Sequence, residues 1–471
     1  MPPTLPTSLM NSLSDAPGFD RQAFAAVHTS GEQVTSIRIN PTKISGAELQ
    51  HIRSAHIDAN YPSAIANIQV PVPWSRHGYY LSQRPSFTLD PLLHAGCYYV
   101  QEASSMFLEQ ALVQTTDCSQ PLKVLDLCAA PGGKSTLLQS FITPGSLLVS
   151  NEVIKSRSII LHENITKWGA ANVVVTNNDP KDFQRLPNYF DVLVIDAPCS
   201  GSGLFRRDPE AIQEWSEANV ALCCQRQQRI VADALPALRP DGVLIYCTCS
   251  YSMEEDEQVI DWLIDEFDMS SLPLSVDASW NIVESFSPKH HAACYRFYPD
   301  KLRGEGFFLT CLRKQEGNGT TGPATRQKAE KLSKPELELT QHWIDPAVPL
   351  HLFRHKEDVI AVPTGFEQII PILQERLYLR QSGITVGKLG RTALIPDHSL
   401  ALSGIFNNAI TTISLNHGEA LQYLRKAEVF AVSAHKGWAL VQYEGHNLGW
   451  IKLLGNRVNN YYPREWRILK N

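Results

Sequence analysis

Nowhere in the 471 residues is there an apolar stretch near the ~20 residues that a membrane-spanning helix needs. The first twenty residues hold neither Lys nor Arg and no long apolar run, so both parts of a secretory signal are missing and a cytoplasmic location is expected. A basic excess is also lacking: 42 Lys and Arg face 48 Asp and Glu, a net charge of −6, so any grip on nucleic acid has to come from local patches. The ten cysteines include close pairs, Cys223 with Cys224 and Cys247 with Cys249, but none with the C-x2-C spacing that lets two thiolates hold one zinc ion. No metal is therefore expected, and thiols within apolar runs suit a reducing compartment better than a disulfide framework. Internal repeats and heptads are absent too.

What is present is a folded composition, 43% hydrophobic and 19% charged, in a chain long enough for several domains. From residue 123, short apolar runs alternate with helical patterns, the signature of a parallel sheet with crossover helices. The strands expected are KVLDLC (123–128), SLLVSNE (146–152), NVVVT (172–176), DVLVID (191–196), GVLIYCT (242–248) and, later, GFFLTCLRK (306–314). Helices are expected over 155–168 and over 210–238, the second with Asp208 as N-cap and Pro209 in its first turn. A capping box of Ser252 and Glu255 predicts a further helix to about Phe267, and the stretch through His290, His291 and 296–306 reads as a loop. Residues 1–95 suit a small α+β domain of RNA-binding type and 96–314 the doubly wound core. Residues 315–335 form a Gly-, Thr- and Pro-containing linker, 336–395 an intermediate domain, and 396–471 a β-rich module.

The segment VLDLCAAPGGKST (124–136) sets a strand, a tight Gly-rich turn and a helix start in sequence, which brings backbone and free N–H groups close to a ligand. A P-loop would need Gly where Cys128 stands, and a dinucleotide fold would need G-x-G-x-x-G. Glu152, at the end of the second strand and about 20 residues beyond the turn, is placed to accept from two ribose hydroxyls. Asp179, past the third strand, suits either an adenine amino group or a plain turn.

Cys199 and Cys249 follow the fourth and fifth strands in DAPCSGSG and CTCSYS, at the sheet edge where open α/β folds bind ligands. Free Cys is usually a small buried hydrophobe, which fits Cys247 and Cys311 inside strands better than it fits two thiols in Gly-, Ser- and Thr-rich loops. Cytosine C5 becomes nucleophilic only after a group adds to C6, and a thiolate does so reversibly. Asp196, three residues before Cys199, is placed to assist at N3, and a second thiol has a purpose when the adduct breaks down.

YVQEASSM (99–106), LDLCAAPGGKST, NE (151–152), DAPCSGSG, CTCS and GEGFF (304–308), in this order, closely resemble the Nop2/Sun family of RNA 5-methylcytosine methyltransferases over about residues 95–314. The resemblance implies a Rossmann-like S-adenosylmethionine-dependent methyltransferase core. It implies that Cys128, Ala129, Ala130, Pro131, Gly132, Gly133 and Lys134, with Glu152, Asp179 and Asp196, hold the methyl donor. Cys249 would then attack C6 and Cys199 would assist product release. The length and C-terminal half resemble a bacterial group of this family that modifies a cytosine of 16S ribosomal RNA and ends in a PUA-like RNA-binding module. The implied partner is ribosomal RNA or the small ribosomal subunit, with no membrane and no obligate protein partner. Another rRNA or tRNA cytosine, or a catalytically silent assembly factor, is the alternative.

Residues 341–471 carry 14 Lys and Arg against 10 Asp and Glu. Within them Lys452, Arg457, Arg464, Arg467 and Lys470 alternate with Trp450, Tyr461, Tyr462 and Trp466, a mixture that suits phosphate contact and base stacking as well as a β-rich core with a solvated rim.

Overall fold

The computed structural model describes residues 5–55, 63–315, 322–427, 436–455 and 457–470. Five apolar runs form the parallel heart of the molecule: β1 (Lys123–Asp126), β2 (Leu147–Asn151), β3 (Val173–Thr176), β4 (Phe190–Asp196) and β5 (Leu238–Thr248). Their order is β3-β2-β1-β4-β5, and the crossovers include α1 (Gly133–Phe141), α2 (Lys155–Trp168) and α3 (Glu217–Ala234). Strands covered on both faces need continuous rather than alternating apolar residues, and almost every side chain of β1, β2 and β3 is buried accordingly. The order reverses between β1 and β4, so the crevice above their carboxyl ends is the switch point where such sheets take ligands.

Beyond β5 the sheet turns antiparallel through β6 (Val283–Phe286), β7 (Ala293–Phe297) and β8 (Phe307–Lys314), with β8 lying between β7 and β5. The loop expected through His290, His291 and 296–306 is therefore interrupted, since Ala293–Phe297 within it forms β7. Arg296 pairs with Glu257 there, which explains a charged residue in a buried strand.

Two helix starts also differ from expectation. The helix expected over 210–238 is broken at Trp215 and Ser216; Ser216 Oγ, not Asp208, caps α3 by accepting from Asn219 N at 3.1 Å. Ser252 and Glu255 form no capping box, because the helix α4 (Glu257–Glu266) begins later and Glu255 turns inward.

The N-terminal sheet contains Ile68–Pro71, Gly78–Leu81, Ser36–Ile39 and Tyr98–Val100 in that order, so it reaches past residue 95. It is fastened to the core by Arg38. This side chain is fully buried and donates to Gln101 Oε1 at 2.8 Å and to Ser140 Oγ at 3.2 Å, while its guanidinium lies 4.6 Å from the centre of the Trp168 ring. Lys43 Nζ donates to Lys167 O at 2.6 Å, near the carbonyl end of α2 where a cation is favoured.

Residues 316–321 of the expected linker lie outside the described residues, and Glu330–Lys331 of it forms a strand. That strand opens a five-stranded sheet with Leu350–His355, Asp358–Pro363, Ile384–Leu389 and Leu394–Pro396. Leu379–Ser382 leaves this region to pair antiparallel with β3 and extends the central sheet. The C-terminal module contains four strands, Thr412–Ser414, Gly437–Tyr443, His446–Leu453 and Val458–Asn460. Its Tyr423, Ile451 and Tyr462 share one apolar cluster with Ile37, Leu92 and Tyr98 of the N-terminal domain. The tail is thus built into the molecule at both ends. Among the described residues no helix is long and apolar enough to cross a membrane.

Candidate active site

Asp126, Glu152, Asp196 and Cys249 all stand at or just past the carboxyl ends of parallel strands, because the apolar runs stop there and polar loops begin. After β1 the chain turns through Cys128 to Gly132 into α1. Gly132 takes φ +116°, a conformation that side-chain-bearing residues rarely adopt. Asn151 ties neighbouring strand ends together, donating to Leu127 O at 3.1 Å and Asn178 O at 3.0 Å. Ala129 and Ala130 are buried, and Asn164 Nδ2 donates to Pro131 O at 2.8 Å, fixing the turn from α2.

Two carboxylates face this turn. Glu152 is 2% exposed; its Oε1 accepts from Ile154 N at 2.9 Å and its Oε2 lies 3.3 Å from Arg157. Asp126 is fully buried and accepts from Ser135 Oγ at 2.6 Å through Oδ2, whereas its Oδ1 has no hydrogen-bond partner. Burial pushes the Asp126 carboxyl up to about 7. Asp126 is absent from the residues expected from sequence; its one signal is a carboxylate closing the apolar run VLD. Asp179 caps the short helix Pro180–Arg185 by accepting from Lys181 N at 3.0 Å, so its turn-forming role is realised and only its second oxygen is left for a ligand. Cys128 keeps its thiol proton: burial holds it far above the ordinary thiol range.

The thiols meet above the carboxyl ends of β4 and β5, beside the switch-point crevice. Cys199 Sγ and Cys249 Sγ are 3.1 Å apart and both are part-buried. The hydrogen bond to Cys249, reinforced by burial, holds the Cys199 thiol well above its usual range, so Cys199 stays protonated. Backbone bonds help join their loops: Gly203 N donates to Cys249 O at 2.9 Å, and Gly306 N of GEGFF donates to Gly203 O at 3.0 Å. A β-carbon on Gly203 would lie 2.7 Å from Cys249 O and 2.6 Å from Gly306 O, so only glycine fits.

Lys134, from the first turn of α1, donates to Asp196 Oδ2 at 2.8 Å, with its ammonium 5.3 Å from the centre of the Phe307 ring. Burial would lower the Lys134 pKa, but Asp196 and the neighbouring thiols overcome it and keep the ammonium charged. Cys247 Sγ lies 3.6 Å from Asp196 Oδ1 and stays a buried, protonated thiol inside β5.

Known proteins show the same arrangement of parts. A family described as 16S rRNA methyltransferase RsmB/F matches residues 113–313, the RsmF N-terminal domain matches residues 5–103, and the methyltransferase RsmF PUA domain matches residues 410–468. Ribosomal RNA small subunit methyltransferase F of Aeromonas hydrophila is 31% identical over 460 residues, covering 91% of this chain and 90% of that protein. The chain belongs to this methyltransferase family. The corresponding protein of Enterobacter sp. strain 638 is 29% identical, covering 91% of this chain and 89% of its own. Among solved structures, a methyltransferase homologue from Pyrococcus horikoshii is 26% identical with a TM-score of 0.50, covering 66% of this chain and all of that one. NSun6 from the same organism shares the fold at 19% identity and a TM-score of 0.54, covering 67% of this chain and 100% of its own. The Rossmann-like methyltransferase core, the separate N-terminal domain and the PUA tail are thereby established, and with them an rRNA methyltransferase family that depends on S-adenosylmethionine.

The C-terminal basic and aromatic group divides. Trp450 and Tyr462 are each 1% exposed, and Trp450 Nε1 donates to Asp397 O at 2.8 Å, so neither ring is free to stack on a base. Trp466 is partly buried against His398, whereas Arg457, Arg464, Arg467 and Lys470 are exposed. Tyr461 remains partly open beside Trp438, over which Lys452 lies at 5.1 Å.

Proposed function

We propose that the protein transfers a methyl group to C5 of a cytosine in 16S ribosomal RNA, with Cys249 as covalent nucleophile and Cys199 as the group that releases the product. The observation that carries this reading is the 3.1 Å approach of two loop thiols beside a part-buried ammonium–carboxylate pair at the carboxyl edge of the sheet. S-adenosylmethionine supplies the electrophilic methyl when bound. The free Oδ1 of Asp126 suits its amino group, and the buried Glu152 carboxylate suits its ribose hydroxyls. Cys128, Ala129, Ala130, Pro131, Gly132 and Gly133 give it a close backbone wall, and the second oxygen of Asp179 is left for the adenine.

The Cys249 thiolate adds to C6 while N3 takes a proton from the Lys134–Asp196 pair, which places the new electron density at C5. C5 then takes the methyl. In the elimination the Cys199 thiol, in hydrogen-bond reach of Cys249, gives its proton to the departing Cys249 sulfur and takes up the C5 proton, which restores the double bond between C5 and C6, while N3 returns its proton to the Lys134–Asp196 pair. The cytosine has to leave its stack to reach a part-buried thiol.

Incubation with methyl-labelled S-adenosylmethionine and small ribosomal subunits, followed by nucleoside digestion, is expected to yield labelled 5-methylcytidine from one position. Label in any other nucleoside removes the reading.

The exposed Arg457, Arg464 and Arg467 support RNA binding by the tail through phosphates rather than base stacking. Replacing the three by Ala is expected to weaken RNA binding and to lower the salt slope by about 0.7–0.9 for each phosphate that is no longer neutralised. Filter binding at several salt concentrations checks this; an unchanged slope would leave the tail a structural module. Point changes are required because a cut at residue 336 would remove Leu379–Ser382 from the central sheet and uncover the N-terminal domain.

A further inference from the structure

The acidic run Glu254-Glu255-Asp256-Glu257 follows the Cys249 loop, and its members have different surroundings. Asp256 and Glu257 both meet Arg296, Asp256 at 3.5 Å. Glu255 is fully buried, yet among the described residues no cation lies within ion-pair distance of it. Its carboxylate accepts four neutral hydrogen bonds instead. Ser200 N and Gln227 Nε2 donate to Oε1 at 2.8 and 3.2 Å, and Ser200 Oγ and Ser250 Oγ donate to Oε2 at 2.5 and 2.6 Å. Ser200 directly follows Cys199 and Ser250 directly follows Cys249. One carboxylate therefore receives hydrogen bonds from the neighbour of each thiol. Its own backbone is held as well, since Tyr246 Oη donates to Glu255 O at 2.8 Å from inside β5.

A buried carboxylate without a counter-charge is costly unless its hydrogen bonds are complete, and an apolar side chain would fill the same space without that cost. An apolar side chain could not join the two loops. We propose that Glu255 is a positioning residue for methyl transfer, a clamp that ties the Cys199 loop to the Cys249 loop and sets the separation of the two thiols. This rests on the two-thiol reading above. The negative charge of Glu255 also helps keep the proton on Cys199, which is the state an unequal division of the thiols needs.

The test measures thiol separation without using catalysis. With diamide as oxidant, Cys199 and Cys249 each lose a proton and together give up two electrons, forming one S–S bond while the N=N bond of diamide is reduced to the hydrazine. The rate is read by peptide mass mapping of the full chain. The wild-type pair is expected to cross-link rapidly and Glu255→Ala to do so about a hundredfold more slowly, the scale set by a displacement near 1 Å. Glu255→Gln, which keeps the shape and part of the bonding, should recover most of the rate. Turnover should fall with the cross-linking rate while affinity for S-adenosylmethionine stays unchanged.

A folded Glu255→Ala protein that cross-links at the wild-type rate overturns the clamp. If that variant does not fold, the Ser200→Ala/Ser250→Ala double variant decides: slowed cross-linking supports the clamp and the wild-type rate overturns it. Cross-linking that depends on Glu255, in a protein whose methyl transfer survives loss of either cysteine, supports the clamp and removes the two-thiol mechanism.

Discussion

Cys249→Ala is expected to lower methyl transfer by about 10⁴-fold or more, the scale on which removing a covalent nucleophile acts. No RNA–protein adduct should form. Cys199→Ala is expected to do something different: RNA should be trapped on Cys249 and the complex should survive a denaturing gel. The difference follows from the state of the Cys199 thiol. Cys199 is held protonated by its hydrogen bond to Cys249 and by burial, so it is poorly suited to begin the attack and well suited to take part at the end. Removing it leaves addition to C6 and methylation possible but takes away the group beside the bond that has to break. The double variant should form no adduct, and trapping by Cys249→Ala instead of Cys199→Ala would reverse the two roles.

Much of this site is legible in the residues because loops that leave parallel strands have to be polar and small. DAPCSGSG and CTCS mark two such exits, and their thiols meet as strand adjacency of β4 and β5 requires. Glu152 stands at the end of the second strand, the position that its distance from the Gly-rich turn predicts, and it is buried there. Asp126 is not legible, because a strand-ending Asp looks the same whether it faces solvent or an enclosed crevice. Glu255 is legible as a hydrogen-bonding residue but not with its true partner. Three-residue spacing from Ser252 matches a helix cap, and only tertiary packing offers it Ser200 from a loop 55 residues earlier. Trp450 and Tyr462 follow the same rule in reverse, since alternation with basic residues does not reveal which face of a strand meets the core. The join of Leu379–Ser382 to β3 is equally invisible locally, being a pairing across some 200 residues.

Glu152→Ala is expected to weaken S-adenosylmethionine binding by about 2–4 kcal/mol, the cost of two hydrogen bonds to a charged acceptor. Asp126→Asn should cost about 1.5–3 kcal/mol, because a neutral amide replaces a charged acceptor for the amino group. The two differ in pH dependence. Burial has raised Asp126 to about 7, so in the empty protein near neutral pH the proton competes with the ligand's ammonium for this carboxylate. Affinity should therefore fall as pH is lowered from 8 to 6, approaching tenfold for each unit below 7, and Asp126→Asn should remove this dependence. Stability of the empty protein should move the other way. A carboxyl whose folded pKa lies above its unfolded value of 3.8 binds its proton more tightly when folded. Its contribution is complete below pH 3.8 and is lost as pH rises through about 7. Wild type should thus lose stability relative to Asp126→Asn between those limits, while its affinity for the methyl donor improves. Titration calorimetry and thermal melts of both proteins at pH 6, 7 and 8 check the two slopes together. A wild-type affinity that does not vary over that range would remove Asp126 from contact with the amino group and leave Glu152 as the anchoring carboxylate.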